Sequence, residues 1–167
     1  MTVNIVERLR DAEAGVQALR PRVEAAAPWP ASAHFGVEPE ASWNPPELLA
    51  HLAEMVPYWM RQIERILAGH PEPVSFGRVQ SDDERIAAIG RDRALPIGEL
   101  FDRIATATDA AAERLEQLSP EELERRGTHP TLGEMTVSAV VERMFIHHLG
   151  EHRGQLVRIL DASGRGA

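Results

Sequence analysis

Cysteine is absent from the 167 residues, and so is lysine: all 18 basic side chains are arginine. Without cysteine there is no disulfide, no thiolate metal ligand and no cysteine nucleophile. Without lysine, Schiff-base chemistry and amine nucleophiles are excluded. Any thiol chemistry would need its sulfur from a cofactor. Long apolar runs are also missing, and none approaches the ~20 residues needed to span a bilayer. Glu7, Arg8, Arg10 and Asp11 interrupt any apolar segment of a secretory leader, so a cytoplasmic protein without a membrane partner is expected. Positive charge is in deficit, with 26 acidic residues and a formal net charge of −8. The arginines form no one-sided stripe, which argues against nucleic acid as a partner.

What is present reads as a globular helical protein. Hydrophobic residues make up 43% and charged residues 26%, and the length suits one domain over residues 1–167 with a single core. Period-2 alternation is never sustained, whereas several long segments repeat apolar residues every 3.6. A first helix is expected from about Val3 to Ala26, with Ile5, Leu9, Val16, Leu19 and Val23 on one face. Pro21 should kink its last turns. After a long connection, Asn44 caps a second helix, Pro45 opens it and Glu47 completes a capping box. Trp43 and Leu48 form the accompanying staple. This helix runs to about Ala68 through Pro57, with Leu48, Leu52, Met55, Trp59, Ile63 and Ile66 as its apolar stripe. A crossover from Gly69 to Leu95 follows, with a short helix capped by a Ser81/Glu84 box. The third long helix spans about Pro96 to Leu118, and Ser119 starts a further short one. Residues Gly127 to Met135 read as a loop, and Thr136 caps a last helix reaching about Asp161. The architecture expected is all-α, a four-helix bundle.

The strongest chemical signal lies in that last helix. His148 and His152 are four apart, so they project from one face about 6 Å apart along the axis. Val137, Val141, Met144, His148, His152 and Gln155 or Leu156 make an inward stripe. Two inward imidazoles can grip one cation, although a histidine pair on a core face can equally be hydrogen-bonded structure. His51, between Leu48 and Met55 on the buried side of the second helix, is a third ligand candidate. It sits roughly 9 Å above the start of its helix. If the second and fourth helices are antiparallel, His51 is level with His152; if parallel, it faces Arg143. The antiparallel order requires a long crossover, and the chain has one between helices 2 and 3. Glu54 and Glu151 are candidates for orienting an imidazole, and Arg153 for meeting an anion. His147, His129, His34 and His70 read as surface or loop residues, and Trp29, Trp43 and Trp59 as core.

The segment Trp43-Asn44-Pro45-Pro46-Glu47-Leu48-Leu49-Ala50-His51-Leu52 resembles the start of the second helix of DinB-like proteins. Gly127-Thr128-His129-Pro130 through Gly133, followed by His148-xxx-His152-Arg153-Gly154-Gln155-Leu156, is similar to the end of that family. The resemblance extends over nearly the whole chain. It implies an up-down-down-up bundle with a three-histidine metal site whose ligands match His51, His148 and His152, and a homodimer. Imidazole suits zinc, nickel, copper and iron alike, with zinc and nickel taken first. The activity implied is a metal-dependent S-transferase that presents a low-molecular-weight thiol, such as bacillithiol or mycothiol, to a small electrophilic substrate. A hydrolase is the alternative, and a non-catalytic metal or small-ligand binding protein of a stress response is the competing class.

Overall fold

Asn44 opens the longest helix with the chemistry its sequence dictates. In the computed structural model, which describes residues 2–37 and 39–164, Asn44 is extended and helix α3 runs from Pro45 to Gly69. Proline is tolerated at the first position because its missing N–H would have no intrahelical partner there. Glu47 Oε2 reaches back to the Asn44 N–H at 3.2 Å. Every member of the expected apolar stripe of α3 is buried, and so are Leu49, Ala50 and Val56. A helix buried on so much of its circumference lies at the centre of the bundle.

Ahead of it, α1 (Thr2–Gln17) and α2 (Arg20–Ala25) replace the single first helix expected from the sequence. The break falls just before Pro21, which occupies the first turn of α2 and has no N–H to continue the ladder. After α3 come α4 (Asp83–Asp92), α5 (Ile97–Glu116) and the one-turn α6 (Pro120–Leu123). Asp82, not Ser81, caps α4, taking the Arg85 N–H at 2.9 Å. The carboxylate is the stronger acceptor, and the helix begins one residue later than the box predicted. The last helix is α7 (Val137–Val141), a wide π turn (Glu142–His147) and α8 (His148–Ser163).

Interhelical ion pairs give the directions. Arg10 pairs with Glu116 at 2.8 Å and Arg20 with Asp102 at 2.6 Å, so α1–α2 and α5 are antiparallel. Arg8 pairs with Glu142, and Arg22 with Asp161 at 3.0 Å, so α1–α2 and the last helix are parallel. Glu47 meets Arg93 at 3.0 Å, and Glu64 meets Arg114 at 2.6 Å, so α3 runs parallel to α5. The result is up-down-down-up, with α3 antiparallel to α8 as the histidines required.

The stretch read as a loop from Gly127 to Met135 is a hairpin. Strand β2 (Arg126–His129) pairs antiparallel with β3 (Gly133–Thr136), and β1 (Val74–Ser75) pairs parallel with β2. Four-residue strands are too short for alternation to stand out in a sequence. Gly127 explains the seat of this sheet: a Cβ there would lie 2.7 Å from Phe76 and 2.8 Å from Ile66, so only glycine lets the strand lie on the end of α3.

One buried carboxylate fastens the long 27–43 connection. Glu47 is fully buried. It accepts from Ser32 N and Ser32 Oγ at 2.9 Å each and from Arg93 Nη1 at 3.0 Å, besides Asn44 N. Truncation would leave these donors without an acceptor. Glu47→Ala should therefore cost about 3 kcal/mol, read as a lower urea midpoint at unchanged m-value. A loss under about 0.5 kcal/mol, the range of an ordinary surface change, would refute the fastening.

Candidate metal centre

Three elements bring the polar cluster together. His51 comes from the second turn of α3, His148 and His152 from successive turns of α8, and Glu40 from a single 3-10 turn, Glu40–Ser42, just before α3. One ligand atom from each of these four residues lies within 4.8 Å of every other. His148 Nε2 is 2.8 Å from His51 Nε2 and 3.1 Å from His152 Nε2. Glu40 Oε1 lies 2.9 Å from His51 Nε2, 3.1 Å from His152 Nε2 and 3.6 Å from His148 Nε2. All three histidines expected from the sequence thus meet, and Glu40 joins them unforeseen. It sits in an aperiodic connection, where nothing local separates it from other loop acids. The one available clue was its place three residues before Trp43, whose burial anchors the loop beneath His51.

A second layer sets the orientation of these groups. Gln155 Nε2 donates to the Glu40 carbonyl at 2.9 Å, which leaves Gln155 Oε1 facing His152 Nδ1 at 3.1 Å. An amide oxygen only accepts, so Nδ1 carries a proton, and a ring holding that proton alone presents a lone pair at Nε2. Arg85, buried against Trp43, donates to Glu40 Oε1 at 3.0 Å and to the Gln80 carbonyl at 2.9 Å. Burial pushes the Glu40 carboxyl up, but the imidazoles of His148, His152 and His51 outweigh it and hold the group far below the usual range. Burial also drives the His51 pKa well down, against the opposing pull of Glu40.

These facts test whether a cation fits. With Nδ1 protonated toward Gln155, a neutral His152 would set an Nε2 lone pair against Glu40 Oε1 at 3.1 Å, so this contact is favourable only with positive charge between the two, a second proton or a cation. An added proton is opposed by burial at His51, whereas a divalent ion suits three neutral imidazoles and a carboxylate. The donor set fits a metal.

The cluster forms one wall of a cavity of about 540 Å³. Across it lie Arg78 and Val79 of the crossover, Thr131 and Leu132 of the hairpin, and Arg143 and Met144 of the π turn. His148 keeps a quarter of its side chain exposed, so the cluster is reached from this side.

The family model of the DinB superfamily matches residues 1–156. The chain belongs to the DinB superfamily. Among solved structures it is similar to YfiT from Bacillus subtilis, described as a probable metal-dependent hydrolase with an unusual four-helix bundle topology. That chain is 13% identical, the match covers 98% of this chain and 88% of the other, and the TM-score is 0.73. At this identity the likeness concerns the fold. No curated protein matches the chain. Among the described residues, no helix is long and apolar enough to cross a membrane.

Other residues singled out in this DinB-superfamily chain fare differently. Glu54 orients no imidazole; it pairs with Arg78 at 2.6 Å, and both are nearly buried. Glu151 reaches His147 at 3.3 Å and His148 Nδ1 at 3.8 Å. Arg153 packs beside Gly15, away from the cavity. His147 is exposed as expected but borders the cavity, and Trp59 is both core and cavity wall. His34 and His70 lie exposed in loop positions.

His129 does more than shape a turn. Its Nδ1 accepts from Thr131 N and Leu132 N at 3.3 Å each, and its ring lies 5.9 Å from Trp59 and 5.6 Å from Phe76. Burial lowers its pKa, the Arg78 backbone opposing. The ring presses on Gly77, where φ is +84° and a Cβ would lie 2.4 Å from His129 Cδ2. Gly133 has φ of +73° but open space around it. Gly133→Ala should therefore cost only the backbone term, about 1 kcal/mol, and Gly77→Ala at least ~2 kcal/mol, because the hairpin must also shift. Equal urea midpoints for the two variants would contradict the packing of His129 on Gly77.

Proposed function

We propose that His51, His148 and His152 hold a divalent metal, with Glu40 as a further ligand or as an acceptor beside the open coordination positions, and that the centre serves a metal-dependent hydrolase of small molecules. The observation that carries this reading is the convergence of three imidazole nitrogens and a carboxylate on the wall of an open cavity. A purely structural ion calls for a closed shell, and a cluster bordering a cavity of this size argues against one. The description of YfiT as a probable metal-dependent hydrolase supports the same reaction class.

Bound there, a divalent ion would polarise a substrate oxygen and acidify a water or a thiol. The chain's own residues do the rest. Gln155 holds His152 in the tautomer that turns Nε2 inward. Arg85, bound to Glu40 Oε1 at 3.0 Å, limits the swing of that carboxylate. Glu40, held ionised within hydrogen-bond reach of the cluster, supplies a fixed negative charge that suits a bound cation. Trp59 and Met144 keep part of the wall apolar, which strengthens the electrostatic interactions inside.

Thiol transfer, the reaction the family resemblance implied, is the second reading. The size of the cavity favours it over a site built for water alone, since a small thiol and an electrophile can enter together. Bacillithiol or mycothiol would supply the sulfur that the chain lacks. Zinc and nickel are the ions proposed, because both accept imidazole and carboxylate ligands.

Elemental analysis of the purified protein should find close to one metal per chain, and the His148→Ala, His152→Ala double variant none. Parent protein that takes up neither zinc nor nickel would end this reading. With metal loaded, turnover of an ester or amide panel without thiol marks a hydrolase; turnover only with an added thiol marks the transferase. Gln155→Leu should weaken metal binding by about 10–100-fold while the helical circular dichroism is retained. Unchanged affinity, measured by competition with a chromogenic chelator, would show that Gln155 does not orient His152.

A further inference from the structure

The whole chain carries a formal charge of −8, yet three arginines line the cavity: Arg78, Arg85 and Arg143. Two of them are committed. Arg78 is held by Glu54 at 2.6 Å and stacks 3.6 Å from the centre of the Tyr58 ring. Arg85 is bound to Glu40 and to the Gln80 carbonyl. Arg143 has no hydrogen bond or ion pair among the described residues. It is exposed on the cavity wall and close enough to His129 to help keep that imidazole neutral.

The backbone explains why this cation faces the cluster. Arg143 and His148 are five residues apart, and at 3.6 residues per turn they would diverge by about 140° around the helix. The π turn at Glu142–His147 bonds i to i+5 and widens the turn, which brings residue 143 round toward the face of residue 148. An ordinary solvated arginine needs no such turn. A second observation concerns the apolar surface. Among the described residues only three large hydrophobic side chains are exposed, and two of them, Val79 and Leu132, border this cavity.

We infer that Arg143 is an anion-recognition residue of the cavity, and that the ligand is a small amphipathic anion whose apolar body lies against Val79 and Leu132. Where the cavity is also the active centre, an inference that rests on the metal reading above, this is the class of its substrate. A planar guanidinium with free donors binds a carboxylate, phosphate or sulfonate in a fork, which a point charge does not reproduce. Glu40 and Glu151 also line the cavity, so the attraction for an anion is local to the Arg143 guanidinium, on the wall beside Val79 and Leu132.

The test uses the full chain and two fluorescent probes. One is anilinonaphthalene sulfonate, an apolar ring system with one anionic group that coordinates metals poorly. The other is the uncharged N-phenylnaphthylamine. The parent should bind the sulfonate saturably, with metal removed by chelation and with metal restored. Arg143→Gln should weaken that binding about tenfold and leave the neutral dye unchanged. Arg143→Lys should fall between, because it keeps the charge and loses the fork. Equal sulfonate affinity in parent and Arg143→Gln overturns the inference, as does failure of the parent to bind the sulfonate. An equal loss for both dyes also overturns it, since that marks a structural role. Metal content is measured on the same samples. An Arg143-dependent sulfonate site in protein that takes up no metal would keep the anion site while removing the metal reading.

Discussion

Three imidazole nitrogens and one carboxylate oxygen converge on a single point, and no distribution of protons over neutral rings satisfies them all. Gln155 has already placed the proton of His152 on Nδ1, so its lone pair faces the Glu40 carboxylate. Burial of His51 opposes adding a proton there. Positive charge is therefore the constraint around which the rest is arranged. Arg85 supplies part of it from behind Glu40, and a divalent cation suits the remainder. With neutral rings alone, the His152 lone pair is left against the Glu40 carboxylate, so the cluster does not hold itself together. The surrounding fold has to impose it.

The imposition is visible in three places. Antiparallel α3 and α8 set His51 opposite the His148–His152 pair, and this requires the long crossover. The Glu47 carboxylate binds Ser32, Asn44 and Arg93, which fixes the 27–43 connection at both of its ends and carries Glu40 into position. Gln155 then ties the Glu40 carbonyl to α8. Buried polar groups of this kind are costly unless every donor and acceptor is matched. Glu47 meets that condition within the protein. The cluster of Glu40, His51, His148 and His152 does not, and this difference separates a structural network from a site suited to receive a cation.

The crossover and hairpin make the cavity as well as the topology. The small sheet lies on the end of α3 because Gly127 permits the approach, and it delivers His129, Thr131 and Leu132 to the cavity wall. Gly77 accepts a positive φ under the His129 ring, so the next residues, Arg78 and Val79, turn toward the same space. Opposite them, the π turn presents Arg143 and the half-buried Met144 to the cavity wall that His148 also lines. A regular α-helix would have kept one face continuous and left the cavity without its cation.

Much of this was legible in the residues. The helices, the Asn44-Pro45-Glu47 start and the three histidines follow from rules that act over four residues or fewer: capping geometry, proline's missing N–H and the 3.6-residue repeat. Those rules also explain the errors. Asp82 capped α4 in place of Ser81 because its carboxylate, one residue further on, is the stronger acceptor and takes the Arg85 N–H. The hairpin went unseen because four residues cannot display a period, and the π turn because hydrophobic spacing of four fits either helix. Glu40, the role of Arg78 with Glu54, and the exposure of Arg143 to the cavity involve partners many residues away, and no local pattern encodes such pairings. The sequence by itself determined which residues could form helices and which carried ligand chemistry, because both depend on neighbours along the chain. Only the tertiary structure decided which acid joined the histidines, which arginines were already neutralised and where the cavity opened, because those depend on distance through space.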